Sequence, residues 1–187
     1  MLKKAIILTV CCFVSFSCVK NIDFDQAEGV VLTPTLESSL LFFEEPAITF
    51  VDNSGAEIST ITDSVIIEIF SDEFVKDNLQ KAILQFEGTN SINRSFEARV
   101  EFLDVLDELQ HTLTFIVAPS VSNDEVITES IETFEGVSLE ALKETNKLFL
   151  TLTMLPSADG STLDSNSIGT LNFRSKGTFF FNINTSE

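Results

Sequence analysis

The sequence predicts a mainly β chain, an antiparallel β-sandwich with one short helix, and three observations carry that prediction. Apolar and polar residues alternate strictly through much of residues 82–117, the period of half-buried antiparallel strands. β-Branched residues and phenylalanine crowd into short runs separated by Pro, Gly and Asn-rich breaks, as strands require. The segment after Ser138 is the one place where leucines fall at helical spacing behind a capping residue.

The elements follow in order. Residues 39–43 and 47–51 read as strands flanking Glu44-Glu45-Pro46, and residues 65–70 as a β-branched strand whose one charge is Glu68. Ala82, Leu84, Phe86 and Gly88 then share a face opposite Ile83, Gln85 and Glu87. After Asn90-Ser91-Ile92-Asn93-Arg94, read as a hairpin loop, Phe96, Ala98, Val100 and Phe102 alternate with Ser95, Glu97, Arg99 and Glu101. A turn at residues 104–108 leads to a strand with Leu113, Phe115 and Val117 inward, ending at Pro119. Residues 126–134 form another strand, and Ser138 caps a helix reaching Asn146 with Leu139 and Leu142 on one side. Leu148, Leu150, Leu152 and Met154 make a strand before Pro156, and a polar loop over 157–167 precedes a final strand pair near 168–173 and 178–183. About nine short strands and one helix suit a sandwich and no parallel α/β sheet.

Ahead of this domain, assigned to residues 36–187, lies a segment of different character. Lys3 and Lys4 precede an apolar run from Ala5 to Phe16. That is the pattern of a signal peptide, here residues 1–17, and the run falls short of the roughly 20 residues a membrane-spanning helix needs. Val14-Ser15-Phe16-Ser17-Cys18 sets a small residue before a cysteine, as lipid attachment requires. All three cysteines, Cys11, Cys12 and Cys18, lie in this segment. An ordinary signal peptide cleaved nearby would leave Cys18 as a lone thiol in an oxidising compartment. Lipid on Cys18 gives it a use, with residues 18–35 as the lipidated N-terminus and tether, and the membrane as a partner reached through that lipid. Loss of residues 1–17 removes two lysines and no acid, taking the formal charge from −18 to −20. Such a charge repels phosphate backbones, so nucleic acid is not an expected partner.

Reactive groups are sparse. His111 is the single histidine, sharing parity with Leu113, Phe115 and Val117, and reads as a rim histidine of the core. One His and no distal Cys cannot assemble the usual zinc sites. Gly136-Val137-Ser138-Leu139-Glu140 has Glu where a nucleophile elbow needs its second Gly. The adjacent pairs Glu44/Glu45 and Asp107/Glu108 point to opposite faces of a strand. Asp159, Asp164 and Asn166 share a loop able to meet Ca²⁺ but lack the EF-hand spacing. No cofactor is expected, and the chain is read as no enzyme. Eighteen Phe stand beside no Trp and no Tyr, which weakens a sugar-binding reading, because Trp and Tyr join a stacking face to a polar handle.

With Cys18 and the Asn21-Ile22-Asp23-Phe24-Asp25-Gln26 tether in view, the chain resembles the small outer-membrane lipoproteins of flavobacteria and other Bacteroidetes. The segment from Phe86-Glu87-Gly88-Thr89-Asn90 to Phe102-Leu103-Asp104 is similar to immunoglobulin-like envelope modules of the FxLYD and late-embryogenesis sorts, in which an Asn-containing hairpin precedes a strand ending in Asp. The Tyr of the first of these is absent here. The resemblance implies an immunoglobulin-like β-sandwich at the outer membrane, on its periplasmic or its surface side, and no particular activity. Three functions follow as expectations, in this order. The first is a binding or structural module acting through contacts with an envelope protein, the second a glycan-binding accessory lipoprotein, and the third a carboxylate-dependent hydrolase.

Overall fold

Alternation of apolar and polar residues gives nearly every run in this chain one face to bury and one to expose, and the strands pair accordingly. The computed structural model describes residues 31–157 and 159–184. The signal peptide, Cys18 and all but the last five residues of the tether lie outside them. In chain order the elements are β1 (Val31–Leu32), β2 (Thr35–Pro46), β3 (Thr60–Ile66), α1 (Glu73–Asn78), β4 (Leu79–Asn90), β5 (Phe96–Leu103), β6 (Leu109–Val117), β7 (Val126–Phe134), α2 (Val137–Lys143), β8 (Lys147–Met154), β9 (Thr170–Phe181) and β10 (Ile183–Asn184). β2-β9-β4-β7 and β3-β8-β5-β6 form two four-stranded sheets, and β1 and β10 make a separate two-stranded ribbon. Every pairing within the large sheets is antiparallel.

The sandwich is as expected, but its strand order is jelly-roll-like and not immunoglobulin-like. An immunoglobulin sandwich sets its first two strands side by side in one sheet. Here β2 and β3 lie in opposite sheets, and every later connection crosses between sheets except the β5–β6 hairpin, as in a double Greek key. The segment expected to close a hairpin, residues 91–95, is therefore a corner between the sheets. Asn90 fixes it: the buried side chain donates from Nδ2 to the Arg94 and Ala118 carbonyls at 2.7 and 2.8 Å, and its Oδ1 accepts from the Ile92 N–H at 2.9 Å. A single satisfied amide thus ties the β4–β5 crossing to the chain leaving β6.

Other boundaries moved for identifiable reasons. Residues 39–46 are one strand with its start at Thr35, and the stretch expected to continue as a strand at 47–51 is a 3-10 turn, Ala47–Phe50. Proline is tolerated at the end of an edge strand such as β2. The β-branched run at 65–70 ends its strand at Ile66, and Ile69–Ser71 forms a second 3-10 turn. Helix α1 was not anticipated; Asp72 caps it, its carboxylate accepting from the Phe74 N–H at 2.8 Å. The expected final pair of strands is one continuous strand, β9, running between β2 and β4. Arg174-Ser175-Lys176-Gly177 resembles a turn only when read locally.

The inner faces interlock over a phenylalanine core. Phe86 meets Phe102 edge-on with centroids 6.5 Å apart, and Phe134 and Phe173 extend the cluster at 5.4 and 6.2 Å, geometries aromatic quadrupoles favour. Beyond the far ends of β4 and β9 the chain closes tightly. Gly169 has φ +111°, and a Cβ there would lie 2.5 Å from the Ser91 carbonyl oxygen. The next residue exchanges hydrogen bonds with Ser91: Thr170 N donates to Ser91 Oγ at 2.8 Å, and Ser91 N to the Thr170 carbonyl at 2.9 Å.

Candidate functional site

The solvent side of the β2-β9-β4-β7 sheet is where polar chemistry and exposed apolar groups converge. Register sets its rows. Ile131, Gln85, Lys176 and Ser39 lie across one, and Glu129, Glu87, Arg174 and Phe42 across the next. Phe42 owes its place to a bulge: between Ser39 and Phe42 β2 advances three residues while β9 advances two, from Lys176 to Arg174. The extra residue reverses the parity of β2. Leu41 turns inward, and Phe42 stands outside at 69% exposure. Ser175, buried on β9, accepts the Leu41 N–H at 3.0 Å and so satisfies the amide freed by the bulge. Among the described residues that serine oxygen acts only as an acceptor.

The charged groups on this face are held in place by neighbours. Arg174 Nη2 lies 2.7 Å from Glu87 Oε1 and Lys176 Nζ 3.1 Å from Glu37 Oε1. Gln85 Nε2 donates to Glu129 Oε1 at 3.0 Å, and Thr89 Oγ1 to Glu87 Oε1 at 3.2 Å. Glu87 raises the Arg174 guanidinium further above its usual range, by hydrogen bonding first and by Coulombic attraction second. Two hollows open between these side chains. One, of about 440 Å³, is walled by Ser39, Phe42, Gln85, Glu87, Arg174 and Lys176 over a floor of Leu41 and Ser175. The other, of about 330 Å³, shares Phe42, Glu87 and Arg174 and reaches Asn172 and Ile127.

β7 forms the outer margin of this face. Its nine residues pair with β4 without a register break, from Ala82 opposite Phe134 to Asn90 opposite Val126. Ile127 and Ile131 stand exposed on either side of Glu129. On its inner side Glu132 faces His111 of β6, with Oε1 3.1 Å from Nε2. The contact lies off the line a hydrogen bond needs and leaves Nε2 without a hydrogen-bond partner. The His111 ring packs edge-on against Phe134 and Phe102 at 4.9 and 5.4 Å. This is the rim position expected of it.

The remaining sequence candidates stay apart. Ser138 does not cap α2: Gly136 precedes the helix with φ 54°, and Ser138 Oγ instead bonds to the Glu135 backbone on both its N–H and its carbonyl. The helix stops at Lys143, short of Asn146, with Leu139 and Leu142 buried as anticipated. Glu44 is exposed on the outer face, whereas Glu45 turns the other way and accepts from Thr49 Oγ1 at 2.6 Å. Asp107 pairs with Lys147. In the candidate calcium loop, Asp159 is held by Ser157 and Ser161 while Asp164 binds Asn166 N and Ser167 Oγ. Each carboxylate serves its own turn, and no group of three metal-ligating side chains forms among the described residues. Hydrogen bonds to Ser157 and Ser161 hold Asp159 far below the usual carboxylate range, and the Asn166 N–H, with Ser167 behind it, lowers Asp164.

What sequence reasoning missed here was the bulge. Its signal is a parity change in the polar residues of one strand: Glu37 and Ser39 are odd-numbered, Glu44 even, with four apolar residues between.

No protein-family model matches the chain, and no curated protein matches it. Among solved structures, it is similar to a protein of Parabacteroides distasonis described as a candidate secreted protein, at 15% identity and TM-score 0.48 over 64% of this chain and 37% of that one. The infectious bursal disease virus VP2 subviral particle aligns at 11% identity and TM-score 0.45, covering 80% of this chain and 32% of its own. The enzymatically active domain of bacteriophage CBA120 tailspike protein 4 aligns at 6% identity and TM-score 0.40, over 76% and 19%. The chain thus spans well under half the length of each, and likenesses this distant assign it no activity.

Proposed function

We propose that this chain is a lipid-anchored binding module of the bacterial cell envelope, held at the outer membrane through Cys18, and that it acts by docking another envelope protein along β7. The observation that carries this reading is the free edge of β7. Edge strands invite pairing, and proteins blunt them with bulges, prolines, lysines or inward charges. β2 carries the bulge and ends in Pro46, β3 turns Asp63 inward, and β6 slips register at its start. β7 has none of the first three, and its inward charge, Glu132, lies beside the His111 ring at the margin of the core. An extended segment of a partner adds there as a fifth strand, gaining main-chain hydrogen bonds and covering Ile127 and Ile131. The glutamate between those isoleucines favours a partner with a basic residue flanked by aliphatic ones. A lipid anchor and a short tether hold the module near its partner at high effective concentration.

Photo-crosslinking in living cells tests the docking. A crosslinkable residue at Thr133 is expected to trap one discrete membrane-associated protein, and the same residue at Thr62 of β3 to trap none. Reversing Glu129→Lys with the probe at Thr133 should cut the yield about tenfold. Equal capture from both edges would overturn the β7 reading. The anchor is tested separately: an alkyne fatty acid is expected to label the native chain and not Cys18→Ser, and equal labelling of the two would refute lipidation there.

A further inference from the structure

We infer that the hollow beside the β2 bulge is a binding site for a neutral sugar, a pyranose unit of a hexose polymer, seated on Phe42. No β7 residue lines this hollow, while the adjoining one reaches Ile127 at the β7 edge.

Its size suits one or two rings: about 440 Å³ lies inside the range of small-ligand pockets, roughly 300–1,000 Å³. The second hollow shares Phe42, Glu87 and Arg174 with it, so a chain of sugars continues past the phenyl ring without leaving the face. The scarcity of Trp and Tyr argued against sugars because those residues supply a ring and a polar handle together. Here the two functions are divided. Phe42 supplies the apolar platform for the C–H face of a pyranose, and the handles come from neighbours in the same rows.

Charge decides the ligand class. An anionic sugar gains little, because Arg174 and Lys176 already hold Glu87 and Glu37 at 2.7 and 3.1 Å and the whole chain carries −18. A cationic ligand gains little for the same reason, since Glu87 and Glu37 are already engaged by these two side chains. A neutral polyol suits the walls, where Gln85, Ser39, Arg174 and Lys176 donate and Glu87 accepts. Beneath them Ser175, 5% exposed, faces the core and accepts the Leu41 N–H, which holds the bulge and so keeps Phe42 on the outer face. Among the described residues of this face, Phe42 is the aromatic ring that stands beside such a set of donors and acceptors.

Affinity electrophoresis of the full chain in detergent tests the assignment, using gels cast with a β-1,3-glucan, an α-mannan or alginate. Retardation by at least one of the neutral polymers is expected, with none by alginate. Phe42→Ala should weaken it about tenfold, Arg174→Ala should weaken it as well, and Thr62→Lys, exposed on the other sheet, should leave it unchanged. Phe42 and Arg174 are exposed, so thermal melting of both variants is expected to match the parent and rule out misfolding. Migration unaffected by either neutral polymer would overturn the proposal. So would stronger retardation by alginate, or equal retardation of the parent and Phe42→Ala. The gels hold no envelope protein, and the crosslinking in cells needs no added polymer, so failure of one reading leaves the other standing.

Discussion

Arg94→Met is expected to lower the unfolding free energy by roughly 3 kcal/mol, seen as a lower urea midpoint with an unchanged slope. The guanidinium is 2% exposed and touches three separate loops. Nη2 lies 2.9 Å from Glu57 Oε1 and donates to the Ser161 carbonyl, while Nη1 donates to the Asn93 carbonyl at 2.7 Å. Methionine fills the volume but leaves that carboxylate and those carbonyls without their donor. The Glu57→Gln, Arg94→Met double variant should recover part of the loss, since no uncompensated charge then remains. Acid acts through the same pair. Glu57 is held below its ordinary value by the Leu163 N–H first and by Arg94 after it, against an opposing effect of burial. A depressed carboxyl contributes stability that is present above its unfolded pKa and lost as pH falls through the folded one. Stability should therefore decline below about pH 4.5, and less steeply in Arg94→Met.

Gly169→Ala should cost about as much, for another reason. At φ +111° an L-residue is strained by roughly 1–3 kcal/mol, and the new Cβ would stand 2.5 Å from one backbone atom and 2.8 Å from another of Ser91. Backbone cannot swing aside as a side chain does, so β9 or the β4–β5 corner must shift. Gly160 is the comparison: its φ is +73°, and a methyl group there would meet nothing within 4 Å. Gly160→Ala should lose only about 1 kcal/mol. Thermal melts of the two variants that coincided would contradict this account.

Two kinds of information were legible in the sequence to different degrees. The faces of β4, β5 and β8 followed from alternation alone, because central strands buried on one side admit little else. The helix at 137–143 was legible from the spacing of Leu139 and Leu142, though its cap and its end were not, and the rim place of His111 from its parity with Leu113, Phe115 and Val117. Sheet membership was not. Residues 91–95 advertise a reversal, and whether the next strand returns beside β4 or crosses to the other sheet depends on Asn90 reaching Ala118, 28 residues further on. The binding face was hidden for a related reason. Leu40-Leu41-Phe42-Phe43 looks uniformly buried until one residue is bulged against Ser175, a partner 134 positions from Leu41.

The place of β9 between β2 and β4 has a kinetic consequence. Thr35 opposes Phe180, and Leu79 opposes Phe181, so the strand that completes this sheet leaves the ribosome or an export channel after β2, β4 and β7 have done so. Only β5 and β6 can pair across a short turn; the other ladders must wait for distant segments, which slows folding. Until residues 170–181 arrive, β2 and β4 each present an unpaired edge, and Phe86 lacks the Phe173 ring that packs against it. The interval before β9 inserts is when the protein is most open to aggregation and most dependent on a chaperone.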